Sequence, residues 1–142
     1  MYERVLLPTD GSEASLVAGE HAFDISSTYG AELHTIFAVD ETVFAADAYS
    51  GTTPDQYEQV GEKAVAEVVE RATARGLGHV TREVVYGPPH QAIADYADES
   101  DVDLVVMGTH GRSGVEHYLL GSVTEKVVRT ADAPVLTVRP DA

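Results

Sequence analysis

The 142-residue chain contains no cysteine. Structural disulfides and thiolate-held metal ions are therefore excluded, and nothing argues for an oxidising, extracellular setting. Lysine is nearly missing too: it occurs only at Lys63 and Lys126, against seven arginines. No apolar run approaches the about 20 residues that a bilayer-spanning helix needs. The apolar stretch near the N-terminus, ERVLL, is too short for a secretory signal and breaks at Pro8. The expectation is a cytoplasmic protein with no membrane segment.

Acid is what the chain has in excess. Twenty-four Asp and Glu against nine Lys and Arg give a formal net charge of −15. A surface this acidic repels nucleic acid and anionic lipid, so neither is an expected partner. Abundant acid with scarce lysine resembles the cytoplasmic proteins of salt-accumulating halophiles. There, a Debye length of about 3 Å at molar salt screens the self-repulsion. The hydrophobic fraction of 44% is that of an ordinary folded chain, and the length suits a single domain, 1–142.

Strand-like and helix-like segments alternate. Glu3 to Leu7 reads as a short buried strand, and Asp10, Gly11 and Ser12 supply turn and cap chemistry for a helix. That helix carries Ala14, Val17, Ala18, Ala22, Ile25 and Tyr29 at helical spacing and ends at Gly30. Leu33 to Val39 is a second strand. Thr53-Pro54-Asp55-Gln56 has the residues of a capping box with proline at the first helical position. Tyr57, Val60, Ala64, Val68 and Ala72 follow on one face. His79 to Tyr86 mixes charged and apolar residues, as an edge strand does. Gly87-Pro88-Pro89 opens a short helix with Ala92, Ile93, Tyr96 and Ala97. Asp103 to Met107 is the most uniformly apolar strand. Ser122-Val123-Thr124-Glu125 has the pattern of a second capping box, and Pro134 to Val138 is the last strand. Strict alternation implies an α/β fold: a doubly wound, five-stranded parallel sheet of Rossmann-like or flavodoxin-like type. Ligands of such sheets bind beyond the carboxyl ends of the strands, where the strand order reverses. If the first and fourth strands are neighbours, the segments 8–12 and 108–112 meet there.

Two readings of Met107 to Lys126 remain open. Gly108 and Gly111, then Gly121 and Ser122, are loop punctuation before a capped helix. Alternatively they form a phosphate cradle of inward-turned amides and a helix N-terminus, with Arg112 adding a charged fork. The spacing is not that of a Walker A loop, because the lysine is absent, and not the Rossmann G-x-G-x-x-G. Asp10 serves as a helix cap, a ligand group, or both. Met107 reads as core before base contact. His110 reads as polar lining rather than general base, and His21, His34, His79, His90 and His117 lack metal-ligand spacing. Gly111-Arg112-Ser113-Gly114 is not a nucleophile elbow.

Gly108-x-x-Gly111, nine further residues and Gly121-Ser122 resemble the nucleotide-binding motif of the universal stress protein family. LLGSVTEKVVRTADAPVLTV is similar to that family's C-terminal signature, and VLLPTDGSEAS to its N-terminal one. The resemblance implies an adenine-nucleotide-alpha-hydrolase-like sandwich of the ATP-binding branch. It places Asp10 on the ribose or on a Mg²⁺ or Mn²⁺ ion held with the phosphates, with Pro8 and Thr9 beside it. Val39 would meet adenine through its backbone, and Met107 would pack near the base. Gly108, His110, Gly111, Arg112, Gly121, Ser122, Val123 and Thr124 would surround the phosphates and ribose. A homodimer through the last strand (134–139) is implied, as is a regulatory role exerted on an unidentified protein partner. The competing function is a slow ATPase or phosphotransferase, for which no kinase signature is present. A phospho-receiver is rejected because the required acidic cluster, aspartate and lysine are replaced by Pro8-Thr9-Asp10, Tyr86 and Arg139-Pro140. An electron carrier binding FMN lacks the expected aromatic sandwich.

Overall fold

The structure is a computed structural model and describes residues 1–40, 53–109 and 121–140. In chain order it contains β1 (Arg4–Pro8), α1 (Glu13–Tyr29), β2 (Glu32–Val39), α2 (Pro54–Ala74), β3 (Val80–Tyr86), α3 (Pro89–Glu99), β4 (Leu104–Gly108), α4 (Ser122–Thr130) and β5 (Val135–Val138). The five strands form one parallel sheet in the order β3-β2-β1-β4-β5. The chain steps outward from β1 to β3, then crosses back to β4 on the other side of β1. Right-handed crossovers then place α1 and α2 on one face of the sheet and α3 and α4 on the other.

The buried residues follow that division with strand periodicity. Val5 and Leu7 of β1 pack with Ala18, Ala22 and Phe23 of α1 and Val68 and Ala72 of α2. Leu6, between them, joins Ile36, Val105 and Met107 against Ile93 and Ala97 of α3 and Val127 of α4. Each fully buried Leu, Ile or Phe contributes about 1.5–3 kcal/mol, so both layers are held by burial on alternate faces of the same strands.

Local signals fix several element ends. Ser12 caps α1, its hydroxyl accepting from Ser15 N–H at 3.2 Å, and Gly30 closes it in the left-handed region at φ 66. Thr53 and Gln56 form the capping box expected for α2. Three expectations are corrected. Val60 lies outside the buried face of α2, which instead runs through Gly61, Ala64, Val65, Val68 and Ala72. The reason is close approach: a Cβ on Gly61 would lie 2.7 Å from Phe37 Cδ1, so the helix turns its glycine toward β2. Tyr29 is exposed and meets the Tyr2 ring edge-on, with centroids 5.1 Å apart. Ser122 is not the cap of α4; the helix begins at Ser122, and Gly121 is the N-cap, with no side-chain capping bond.

At the opposite, amino end of the sheet, Asp103 ties β1 to β4. Its carboxylate accepts from Glu3 N–H at 2.7 Å and Arg4 N–H at 2.9 Å, and these bonds hold its carboxyl below the usual range.

Candidate functional site

β1 and β4 are neighbours, with Val5 opposite Leu104 and Leu6 opposite Val105, so the strand order reverses between them. A cavity of about 290 Å³ opens at their carboxyl ends, lined by residues of α3 and α4 and, through Ser15, of α1. Its floor is apolar: Ile36, Phe37 and Ala38 of β2, Pro89 and Ile93 of α3, and Met107 of β4. Two polar rims rise from it, one from the turn between β1 and α1 and one from the start of α4.

The first rim holds Pro8, Thr9, Asp10 and Ser15. Its hydrogen bonds close on themselves. Thr9 N–H donates to Ile36 O at 2.9 Å, Gly11 N–H to Thr9 Oγ1 at 3.1 Å, and Ser12 N–H to Asp10 Oδ1 at 2.9 Å. Asp10 thus braces the turn before the helix, while Ser12 supplies the cap itself. Gly11 takes φ 79, which the tight turn requires.

The second rim holds Gly108, Gly121, Ser122, Val123 and Thr124. The Thr124 hydroxyl is buried and donates to Gly108 O at 2.8 Å, which docks the first turn of α4 on the end of β4. Gly121 N–H also donates to Thr109 O. Gly108 does not adopt positive φ, so conformational freedom is not why it is glycine. A Cβ there would lie 3.0 Å from Ala14 O and 3.1 Å from Ala14 C, so the residue is small because α1 crosses directly over it. One residue therefore brings the two helix starts together. With Gly121 as N-cap, no side-chain capping bond is made to the first N–H groups of α4 among the described residues, and the first residues of α4 line the cavity.

Nine of the expected site residues line this cavity: Pro8, Thr9, Asp10, Met107, Gly108, Gly121, Ser122, Val123 and Thr124. Val39 does not. Strand alternation turns it to the other face, where it packs with Phe37, Ala64 and Val65, and its carbonyl accepts from Gly87 N–H at 2.9 Å. Ala38 lines the cavity in its place. His110, Gly111, Arg112, Ser113, Gly114 and His117 lie outside the described residues. Sequence reasoning missed Ser15, Ile36, Phe37, Pro89 and Ile93. The end of β2 beside the switch point was a usable signal for Ile36 and Phe37; the other three depend on where α1 and α3 pack.

The model of the family described as "Universal stress protein family" matches residues 1–139. The chain belongs to the universal stress protein family. Universal stress protein MJ0531 of Methanocaldococcus jannaschii is 35% identical over 142 residues, covering 98% of this chain and 83% of that protein. Among solved structures, MJ0577 superposes with a TM-score of 0.87 at 28% identity, covering 98% of this chain and 96% of its own. A universal stress protein solved in complex with cAMP superposes at 0.74 with 30% identity, covering 98% of each chain. The parallel five-stranded α/β sheet is thus the fold of these stress proteins.

The ligand that the family resemblance implies is a nucleotide with a divalent ion. Binding cavities for small molecules run from about 300 to 1,000 Å³ with apolar walls and few polar groups. This one, at about 290 Å³, stands at the lower bound, and its apolar floor suits a base. Asp10 is the carboxylate on its rim, and no group of three or more His, Cys, Asp or Glu side chains able to hold a metal occurs among the described residues. Mg²⁺ is commonly held by one or two carboxylates plus substrate phosphates. The donors fit an ion carried by a phosphate chain, not a cage built from protein alone. Among the described residues, no helix is long and apolar enough to cross a membrane.

Proposed function

We propose that this universal stress protein is a single-domain, nucleotide-dependent regulatory module that binds ATP with Mg²⁺ or Mn²⁺. The observation that carries the reading is the start of α4, which enters the cavity with glycine where a capping side chain would stand. A helix N-terminus with unpaired amides and a partial positive charge is a phosphate site once ligand chemistry calls for one. The base would lie on Ile36, Ala38, Ile93 and Met107 and meet the backbone at the end of β2, at 38–39. Asp10 would hold the ion. The Thr124 hydroxyl is committed to Gly108 O, so Thr124 would act on the phosphates through its amide. His110, Gly111 and Arg112 would complete the phosphate side. ATP hydrolysis is at most slow in this reading, and the effect of binding is exerted on a regulatory partner.

The test is to purify the protein in strong KCl, denature it, and identify the nucleotide released. The reading expects an adenine nucleotide carrying a phosphate chain. A protein that releases none, and takes up none when offered ATP with Mg²⁺, defeats it. Cyclic AMP in the released fraction would move the assignment to the ligand of the solved relative.

The proposal extends to assembly. β5 is an edge strand, its Leu136 and the neighbouring Val128 of α4 are exposed, and its sequence VLTV carries no charge to discourage pairing. A homodimer through 134–139 is the expected species. Light scattering at molar KCl should give twice the chain mass; a single-chain mass rejects it.

A further inference from the structure

The turn between β1 and α1 contains a hydroxyl relay whose proton order the geometry determines. Ser15 Oγ–H donates to Ser12 O at 2.8 Å, which uses its one proton. The 3.0 Å bond between Thr9 Oγ1 and Ser15 Oγ must therefore carry the proton of Thr9. Thr9 Oγ1 in turn accepts from Gly11 N–H at 3.1 Å. Both residues are 6% exposed, and both line the cavity. Thr9 N–H donates to Ile36 O of β2 and Ser12 N–H to Asp10 Oδ1, so these two protons are also committed within the protein. The polar side chains this rim brings to the cavity, those of Thr9, Asp10 and Ser15, end in oxygens, and the Asp10 carboxylate is the charged one among them. The facing rim shows amide donors without a side-chain cap.

A bare phosphate chain meets attraction on one rim and repulsion on the other, whereas a chelated cation between chain and Asp10 satisfies both. We propose that Ser15 is a positioning residue: by holding the Thr9 proton, it keeps the Asp10 rim an acceptor surface and makes the site select metal-chelated polyphosphates over metal-free or uncharged nucleosides. This rests on the nucleotide reading given above.

Titration calorimetry with ATP plus Mg²⁺, ATP plus chelator, and adenosine tests it. In the wild type, Mg²⁺ should strengthen ATP binding; ATP held as tightly with chelator as with Mg²⁺ overturns the proposal. Ser15→Ala should weaken binding of ATP–Mg²⁺ about ten-fold, the loss typical of removing a group that orients a metal-binding residue. Adenosine binding should change less than about two-fold, within the independence expected of a group acting only on the ion. Thr9→Val should reproduce the loss and Thr9→Ser, which keeps the relay, should restore it; these two carry the comparison if Ser15→Ala does not fold. Unchanged ATP–Mg²⁺ binding in Ser15→Ala overturns the proposal, and so does an equal loss for adenosine, which marks general packing damage. A wild type that binds none of the three ligands overturns the nucleotide reading itself, before any variant is compared.

Discussion

Two helices begin beside the same cavity, and they begin in opposite ways. α1 follows β1 and begins with side-chain support: Ser12 caps it, Asp10 accepts from Ser12 N–H, and Thr9 accepts from Gly11 N–H. α4 follows β4 and has Gly121 as its N-cap, with no side-chain capping bond among the described residues. A capping side chain and a bound anion compete for the same amides, so a helix end reserved for a ligand does without the cap. The cost is small, since glycine at an N-cap is only a few tenths of a kcal/mol worse than serine or aspartate. The two starts thus divide the labour, one giving acceptors to the cavity and the other donors.

The strongest way to break this contrast is to make α4 begin as a capped helix. Gly121→Asp puts a carboxylate where it can accept from the first amides of α4. ATP binding should weaken about 100-fold, a loss of roughly 2.7 kcal/mol by calorimetry, while the melting temperature stays level or rises. Gly108→Ala strikes both starts at once, because its methyl group would meet the Ala14 carbonyl. Denaturant titration should show a loss of about 1–3 kcal/mol, the usual cost of overpacking. Ser12→Ala sharpens the contrast from the other side. Removing the cap of α1 should cost about 1 kcal/mol of stability in the same titration, with ATP affinity within about two-fold of wild type because that helix spends its donors internally.

The smallest effect is expected far from the site, at Asp103. Its folded carboxyl titrates below the ordinary value of 3.8 because Glu3 and Arg4 amides bond the charged form. The unfolded chain then binds more protons than the folded one in this window, so stability rises with pH there. The contribution is in place above the ordinary value and is lost as pH falls through the lowered one. Asp103→Asn should flatten that part of the melting temperature–pH curve and leave nucleotide binding alone. A variant that melts with the wild-type acid profile would contradict this.

What the sequence disclosed follows from range. The caps at Ser12 and Thr53 and the glycine closing α1 are local, three or four residues long, and were legible. So was the βα alternation, and the condition that the first and fourth strands be neighbours holds, which brings the segment 8–12 and Gly108, the start of the expected segment 108–112, to one cavity. The failures are non-local. Ser122 looked like a cap because the bond from Thr124 to Gly108, sixteen residues back, is invisible in a local pattern. The side chain that lines the cavity at the end of β2 is that of Ala38 and not Val39, because a one-residue step in a strand changes the face; the backbone contact expected of Val39 is untouched by this. Val60 yielded to Gly61 because Phe37, on another strand, admits the helix only at a residue without a side chain.

The central claim is that the first amides of α4, which begin behind a glycine cap, hold a phosphate chain. Backbone amide spectra of ¹⁵N-labelled protein, recorded as ATP and Mg²⁺ are added, test it most directly. The account expects the largest shifts at Ser122 and Val123, with adenosine leaving those two nearly unmoved. Shifts absent from the start of α4, or equal for adenosine and ATP there, would contradict it.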